Sequence, residues 1–314
     1  MAMGRSARRD HLEPPCRFIK FDATDGVELY GLLFEPRRAS KHAAIFLHGT
    51  GGASIFDSRR TNALAAELAR SGIAYFPFNN RGAHLIKRLR KSGIIRRGVN
   101  GGMAYERIRD CVHDIDGAIR ELRRRGYREF TLIGHSTGAN KIAVYDHYRR
   151  RNPVRNYVFL AGGDDVGLMY AQLGRSGFRK ALDRARKLRG SEELLPTEIS
   201  STPLSWRSFY DMVNPDGDYN IFPFLEVMRG IRLSKKSRFR HLRGVRKPSL
   251  VVYGERDEYC FGNVSRCVSI LAEAIGPKPN FEFVIMKDAD HGFGGREPVL
   301  ANLIVRWLRR DDRR

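Results

Sequence analysis

The sequence predicts an α/β fold with a mostly parallel central sheet, helices on both faces and an inserted helical cap. Short apolar segments alternate with amphipathic helical segments along most of the chain, as in parallel strands joined by helical crossovers. Residues 166–245 lack strand-like alternation although they lie between two predicted strands. An insertion of this length indicates a helical cap over the sheet.

The composition is that of a folded chain. Of the 314 residues, 42% are hydrophobic, which is enough for a large core. We assign 1–15 to a disordered basic N-terminus, 16–165 and 246–314 to the α/β core, and 166–245 to the cap. No apolar run approaches the ~20 residues of a membrane helix, and 1–15 lacks the apolar stretch of a secretory signal. We therefore expect a cytoplasmic protein without a membrane partner.

The four cysteines show no metal-ligand spacing, so no metal site is expected. Cys260 and Cys267 are close in sequence, and both a disulfide and two free thiols are compatible with their spacing. A reducing cytoplasm favours free thiols at all four positions, which are Cys16, Cys111, Cys260 and Cys267.

The charge balance is strongly basic. The chain has 57 Lys and Arg against 35 Asp and Glu, a formal net charge of +22. Such an excess attracts polyanions and acidic ligands without choosing among them. The positive charge is spread along the chain without a nucleic-acid-binding motif, so no specific nucleic-acid partner is expected. We predict that the basic segment 83–102 is a long loop near the mouth of the site, where it would favour anionic substrates. A solvated charged surface is the alternative.

The first half of the chain alternates strands and helices. Thr24-Asp25-Gly26 is a turn signal between two β-like runs, and it predicts a hairpin. Residues 43–47 are entirely apolar, as expected for a central strand buried on both faces. Apolar periodicity places strands at 17–22, 27–34, 43–47, 73–78 and 130–133, and helices at 57–71 and 105–125.

The second half continues this alternation around the cap. Trp206 and Phe209 lie in an irregular, aromatic stretch at 196–223, and they are candidate substrate-binding residues. An ordinary cap core is the alternative for these rings. Strands are predicted at 157–161, 248–254 and 281–286, and helices at 139–148, 166–187 (one helix or two), 225–240, 264–275 and 299–309.

Residues 134–138, Gly-His-Ser-Thr-Gly, match the pattern G-x-S-x-G between a predicted strand and a predicted helix. This arrangement is typical of a nucleophile elbow, in which a strained turn lifts the serine hydroxyl above the sheet. Gly134 and Gly138 leave room for the crossing backbone, and the helix that follows directs its positive end at the developing negative charge. Ser136 is therefore the candidate nucleophile, although the motif alone also arises by chance.

The predicted strand 43–47 ends in His48-Gly49-Thr50-Gly51-Gly52. In enzymes with such an elbow, a loop at this point and the residue after the nucleophile each supply one backbone N–H to an oxyanion hole. We predict Thr50 N–H and Thr137 N–H as the donors, with His48 and Gly49 as candidate substrate-binding residues. A phosphate cradle is disfavoured, because no Lys-Ser or Lys-Thr follows at P-loop spacing. A merely structural glycine turn is the remaining alternative.

Ser136, Asp257 and His291 each follow a predicted strand, in the order nucleophile, acid, histidine. Reactive residues of an open α/β sheet collect at the carboxyl ends of its strands. His291 would take the serine proton, and Asp257 would hold the imidazole in the required tautomer and stabilise its cation. Asp257 is preferred as the acid because it lies a short turn beyond its strand and precedes a helix. The rival carboxylates are Asp165, Glu255, Glu258, Asp288 and Asp290.

Over residues 27–310 these motifs resemble those of the α/β-hydrolases. A narrower resemblance is to a hydrolase group that includes siderophore-hydrolysing esterases. It rests on Asn79-Asn80-Arg81-Gly82, Glu106 with Cys111 and Asp114-Ile115, residues 134–141, and Asp257-Glu258-Tyr259. The resemblance implies an α/β-hydrolase fold and an ester-hydrolase activity carried by Ser136, Asp257 and His291.

The sequence thus predicts a serine hydrolase that cleaves a carboxylic ester, a thioester or a labile amide through an acyl-Ser136 intermediate. The expected partner is a small-molecule ester, anionic esters included, and no cofactor is expected. Epoxide hydrolase and haloalkane dehalogenase chemistry is disfavoured, because those enzymes place an aspartate where Ser136 lies. The alternative is a polyanion-binding protein on a hydrolase scaffold with a vestigial triad.

Overall fold

Strands and helices alternate along the chain. The computed structural model describes residues 14–51, 53–57, 59–93 and 98–311, and most of the segment predicted to be disordered, 1–15, lies outside them. The strands are β1 (Cys16–Asp22), β2 (Glu28–Phe34), β3 (His42–Leu47), β4 (Ala74–Asn79), β5 (Lys87–Leu89), β6 (Val99–Gly101), β7 (Glu129–His135), β8 (Val154–Leu160), β9 (Ser249–Gly254) and β10 (Phe281–Met286). The helices are α1 (Arg59–Arg70), α2 (Cys111–Arg124), α3 (Thr137–Tyr148), α4 (Asp165–Lys187), α5 (Trp206–Val213), α6 (Phe224–Met228), α7 (Arg240–Gly244), α8 (Val264–Ile275) and α9 (Glu297–Asp311).

Eight of the strands form one sheet, in the order β1-β2-β4-β3-β7-β8-β9-β10. The hairpin β1–β2 is antiparallel and joins β4 antiparallel, whereas every pair from β4 to β10 is parallel. Every residue of β3, β4 and β9 is buried, because helices cover both faces of the central sheet. The predicted mostly parallel α/β sheet is confirmed.

The basic segment 83–102 is not the plain loop that the sequence predicts. Within it β5 pairs antiparallel with β6, and Lys91 forms an isolated bridge with Val27. Glu28 N–H donates to the Arg90 carbonyl oxygen at 3.0 Å, so this ribbon packs on the N-terminal hairpin. Residues 94–97 of the segment lie outside the described residues.

Between β8 and β9 the chain is helical, with one isolated bridge between Leu194 and Ser205. α4 bends at Gly174, whose φ of 65° and ψ of 172° are not helical. α5 lies inside the stretch predicted to be irregular, and it begins where the Ser205 side chain accepts the Ser208 N–H. None of the helices in the described ranges combines the length and apolar character that a membrane crossing requires.

Two helix predictions are wrong where side chains take backbone N–H groups. α2 begins at Cys111 rather than at 105, and the Asp211 carboxylate accepts the Ile108 N–H at 2.8 Å. The helix predicted over 225–240 is not continuous, since α6 ends at Met228 and α7 begins only at Arg240. The Glu226 carboxylate accepts the Leu233 N–H at 2.9 Å, which holds the chain out of a helix.

Asp218 fastens the helical segment to the sheet domain. Its carboxylate accepts hydrogen bonds from Arg109 before α2 at 2.7 Å, Tyr148 at the end of α3 at 2.9 Å, and His241 of α7 at 3.2 Å. Burial acts to raise the pKa of Asp218, but these hydrogen bonds outweigh it and hold the pKa well below its ordinary value. The carboxylate therefore stays ionised at the junction.

Arg81 joins the end of β4 to α2 and to the N-terminal hairpin. Its guanidinium lies 2.6 Å from the fully buried Asp114 carboxylate and forms two 3.0 Å hydrogen bonds with Asp25. The Arg81 N–H also donates to Asp114 at 3.0 Å. At the next residue, Gly82, a Cβ would overlap the Glu106 carboxylate. Arg81 is thus required by buried charge, and Gly82 is required by packing.

Arg81→Met should lower the free energy of unfolding by about 3–5 kcal/mol, because it leaves Asp114 buried without its cation. Urea denaturation measures this loss. Arg107→Met is the matched control, because Arg107 has a half-exposed side chain and pairs with Asp110 at 3.0 Å. The control should lose no more than about 1 kcal/mol. Equal losses in the two variants would contradict the structural role given to Arg81.

Candidate active site

Ser136 lies on a sharp turn between β7 and α3. Its backbone has φ 56° and ψ −131°, a conformation that costs a non-glycine residue about 1–3 kcal/mol. Ser136 N–H donates to the Leu160 carbonyl oxygen of β8 at 2.9 Å, which fixes the turn to the sheet. A Cβ on Gly134 would overlap the Gly138 carbonyl, and a Cβ on Gly138 would overlap the Leu47 carbonyl. The crossing therefore requires both glycines.

The loop after β3 approaches this turn closely. A Cβ on Gly49 would lie 2.8 Å from Ser136 Cβ. Among the described residues, the N–H groups of Thr50 and Thr137 have no hydrogen-bond partner, and both residues line one cavity with Ser136. Unpaired N–H groups beside a hydroxyl are suited to stabilise negative charge that develops there.

His48 is held as a neutral imidazole behind this loop. Its Nδ1–H donates to the Gly49 carbonyl oxygen at 2.7 Å, and its Nε2 accepts the Asn80 N–H at 3.2 Å. Burial, and next to it the charge of Lys141, lower the pKa of His48 to about 3. His48 thus lines the cavity but acts mainly as a brace for the loop.

A buried polar network supports this brace. In the sequence its members stand out only as parts of the motifs that carry the narrower resemblance. Lys141 Nζ lies 2.6 Å from Glu106 Oε1 and 3.2 Å from Asn80 Oδ1. The side chains of Lys141 and Glu106 are at most 1% exposed. Burial raises the pKa of Glu106, and the charge of Lys141 opposes this. The network links α3 through Asn80 to His48 and so to the loop after β3.

His291 and Asp257 form a hydrogen-bonded pair at the carboxyl ends of β10 and β9. His291 Nδ1–H faces both oxygens of Asp257, at 3.0 and 3.1 Å. The Asp257 side chain is buried, and its Oδ1 also accepts the Tyr259 N–H at 3.0 Å. This bond leaves His291 Nε2 free to accept a proton. Within the described residues no direct hydrogen bond joins His291 to Ser136, but both line the same cavity.

The rival carboxylates are engaged elsewhere. Within the described part of the chain, Asp257 is the carboxylate that is hydrogen-bonded to the His291 ring. The partners of the rivals are the Asn140 amide for Asp165 (3.1 Å), the Asp288 N–H for Glu255 (3.0 Å), the His291 backbone N–H for Glu258 (3.1 Å), the Arg296 guanidinium for Asp288 (3.0 Å) and the Gly294 N–H for Asp290 (2.8 Å).

The family model described as "Alpha/beta hydrolase family" matches residues 44–300, most of the chain. The chain belongs to the alpha/beta hydrolase family. No curated protein sequence matches it. The family match does not extend to the narrower group of siderophore-hydrolysing esterases, so that resemblance stays a prediction.

Solved structures of other alpha/beta hydrolases share the fold. An esterase from Pyrococcus furiosus is 15% identical with a TM-score of 0.59, and the match covers 98% of this chain and 95% of that one. Est1E from Butyrivibrio proteoclasticus, solved with ferulic acid, is 14% identical with a TM-score of 0.59 over 94% and 99% of the two chains. A soluble variant of monoglyceride lipase from Saccharomyces cerevisiae is 14% identical with a TM-score of 0.61 over 98% and 99%.

In this alpha/beta hydrolase a buried arginine fixes the backbone of the histidine loop. Arg60 of α1 donates to the Gly292 carbonyl oxygen at 2.7 Å and to His135 Nδ1 at 3.1 Å. Because His135 Nδ1 accepts from a guanidinium, its Nε2 carries the hydrogen and donates to the His291 carbonyl oxygen at 2.8 Å. Burial lowers the pKa of Arg60 to about 10, so the guanidinium remains charged near neutral pH. Sequence reasoning missed Arg60, since no local pattern marks it.

The cavity at Ser136 has a volume of about 610 Å³ and is lined by both apolar and polar groups. Arg59 at the start of α1 is exposed at its rim, and α4 contributes Asp165 and Leu168. Burial, and then the charge of Asp164, raise the pKa of Asp165 to about 7. None of the described basic side chains of segment 83–102 lines the cavity.

The structure does not bring Trp206 and Phe209 to this cavity. Both side chains are buried, and their ring centres lie 6.3 Å apart in the helical segment. The Arg184 guanidinium lies 4.7 Å from the Trp206 ring centre. Both rings are therefore packed within the helical segment. This is the ordinary cap core that is the alternative to a substrate-binding role.

Arg60→Met should lower kcat by about 10-fold to 100-fold with little change in KM, because a histidine displaced by ~1 Å transfers protons less well. Steady-state kinetics on a chromogenic ester measures the split between kcat and KM. Arg70→Met is the control and should keep the wild-type kcat, since Arg70 is exposed at the other end of α1 and does not line the cavity. Arg60→Lys should recover part of kcat. A kcat within twofold of wild type for Arg60→Met would contradict the role of Arg60 in positioning His291.

Proposed function

We propose that the protein is a serine esterase in which Ser136, His291 and Asp257 form the catalytic triad. The observation that carries this proposal is the pairing of a buried Asp257 with His291 Nδ1 at 3.0 Å, in a cavity that also contains the strained Ser136. Asp257 keeps the imidazole in the tautomer whose free Nε2 faces away from the carboxylate. That nitrogen is the base that a serine nucleophile requires.

Catalysis then proceeds through an acyl-serine. Ser136 Oγ attacks the ester carbonyl carbon while its proton moves to His291 Nε2, and the carbonyl oxygen gains the negative charge. Thr50 N–H and Thr137 N–H stabilise this oxyanion. The carbon–oxygen bond to the alcohol breaks as His291 returns the proton to the leaving oxygen. Water, deprotonated by His291, then attacks the acyl-serine. The acyl bond to Ser136 Oγ breaks as His291 returns the proton to that oxygen, which releases the acid and restores the Ser136 hydroxyl.

The cavity supports a small substrate with both polar and apolar parts. Its volume of about 610 Å³ suits a compact ester, and Phe46, Leu168 and Tyr259 are available to contact an apolar group. Arg59 at the rim supports an anionic ester better than the segment 83–102, which packs on the hairpin. Thioesters and labile amides fit the same chemistry. We place α4 as the part of the helical cap that selects the substrate.

We infer a reducing compartment, the cytoplasm, for this enzyme. Cys260 and Cys267 are both free thiols although they are close neighbours in the structure, with Cys267 Sγ 3.5 Å from the Cys260 carbonyl oxygen. The hydrogen bond from Cys267 and, next to it, burial raise the pKa of Cys260, so the Cys260 thiol is poorly reactive. Free thiols throughout the described chain support a reducing environment.

Ser136→Ala should lower kcat for ester hydrolysis by about 10⁴-fold or more, because the nucleophile is lost. It should also abolish labelling by a fluorophosphonate probe, which requires an activated serine. Ser54→Ala is the control, because its hydroxyl lines the same cavity but is bonded to Asn79 Oδ1 at 3.2 Å. A wild-type protein that is not labelled would favour the polyanion-binding alternative with a vestigial triad.

Asp257→Asn should lower kcat by about 10⁴-fold, since an asparagine holds the imidazole in the wrong tautomer. Asp290→Asn should have a much smaller effect, because Asp290 accepts a loop N–H rather than the His291 proton. Both variants remove one negative charge from the same region, so the comparison isolates the hydrogen bond. A larger loss of kcat in Asp290→Asn than in Asp257→Asn would show that Asp257 is not the acid of the triad.

A further inference from the structure

A second concave site lies in the helical segment, away from the catalytic cavity. It is a groove of about 550 Å³ between the second half of α4 and the chain around residues 231–233, and it shares no lining residue with the cavity at Ser136. Its apolar lining includes Phe178, which is 4% exposed, and Tyr170, whose ring packs edge-on against Phe178 at 5.4 Å. Its charged walls are formed by Arg175, Arg179, Arg186, Arg232 and Asp183.

The two chain segments that form this groove are unusually basic. Residues 175–189 contain seven Lys and Arg and one acid, Asp183, and residues 229–240 contain six Lys and Arg and no acid. The fold brings these two segments together across one groove. The nearby Asp216 is held by hydrogen bonds from Ser234 and from the Lys235 N–H, and within the described residues it forms no ion pair with an arginine of the groove.

The arginines of the groove differ in how they are engaged. Arg186 pairs with Asp183 at 3.1 Å, and Arg232 donates to the carbonyl oxygens of Ser234 and Lys235 at 3.1 and 3.2 Å. Those two bonds orient the Arg232 guanidinium and leave its Nη1 without a hydrogen bond to the part of the chain that the structure describes. Arg175 and Arg179, one helical turn apart, form no ion pair or hydrogen bond within the described residues. Like charges at this spacing are mutually unfavourable unless an anion lies between them.

We propose that this groove binds a small organic polyanion carrying at least two phosphate or carboxylate groups. Arg175 and Arg179 supply bidentate donors for one anionic group, and the pre-oriented Arg232 supplies a donor for another across the groove. Tyr170 and the apolar lining contact the organic part. The groove has the volume of a small-molecule site, whereas a membrane surface or a nucleic-acid duplex would require a broad exposed face. The site is independent of the triad chemistry proposed above.

Isothermal titration calorimetry with sodium tripolyphosphate, at ~150 mM salt to screen unspecific attraction, tests the proposal. The full-length protein should bind one equivalent, and Arg175→Ser/Arg179→Ser should weaken the affinity by at least about tenfold. The matched control is Arg37→Ser/Arg38→Ser, which removes the same charge from two exposed neighbours in the loop between β2 and β3. The control should keep wild-type affinity, and both variants should keep wild-type ester hydrolysis, since neither pair lines the catalytic cavity.

Citrate should compete with tripolyphosphate, because carboxylates and phosphates use the same guanidinium groups. Phosphatidylglycerol vesicles and a single-stranded oligonucleotide are tested in the same way, by whether they compete with tripolyphosphate. They represent membranes and nucleic acids as sources of the anionic groups. Equal losses of affinity in the two double variants would overturn the proposal, as would binding of several equivalents per chain. Tighter binding of vesicles or oligonucleotide that tripolyphosphate fails to displace would also overturn it, in favour of a surface for macromolecules.

Discussion

The structure depends on one close backbone crossing, where the turn at Ser136 meets the end of β3. There is no room for a side chain at Gly49 or Gly138, so the loop after β3 and the start of α3 are held against the same point. In the sheet, Leu47 pairs with Gly134, and this register fixes the height of the two loops relative to each other. The strain at Ser136 persists because the buried strands on both sides over-determine its position.

Polar contacts where β3 and β4 end hold this crossing in place. Asn80 and Arg81 are adjacent, yet they serve different parts of the molecule. Asn80 contacts His48 and Lys141, and so supports the loop beside the nucleophile. Arg81 points to Asp114 and ties the same turn to α2 and the hairpin. One turn after β4 therefore couples the geometry of the cavity to the stability of the whole sheet.

The sequence predicted what is local or periodic. The turn at Ser136 was evident because β-prone, glycine-rich and helical patterns succeed one another, and His291 because it follows a strand. Arg60 was not predictable, since it acts on residues distant in the chain, with no pattern in the intervening sequence. The helical segment was hardest to predict, because aromatic residues such as Trp206 suit a ligand site and a small core equally. Side-chain bonds, as at Glu226, decided where its helices end.

The buried pair of Lys141 and Glu106 constrains how this sequence can change over evolution. Replacing either residue alone leaves the other as an isolated charge in a dry interior, at about 3–5 kcal/mol. A typical domain has a total stability of only about 5–15 kcal/mol, so most lineages cannot pass through such an intermediate. The two positions are therefore expected to mutate together or not at all. Gly82 packs against Glu106, so it is expected to be constrained together with this pair.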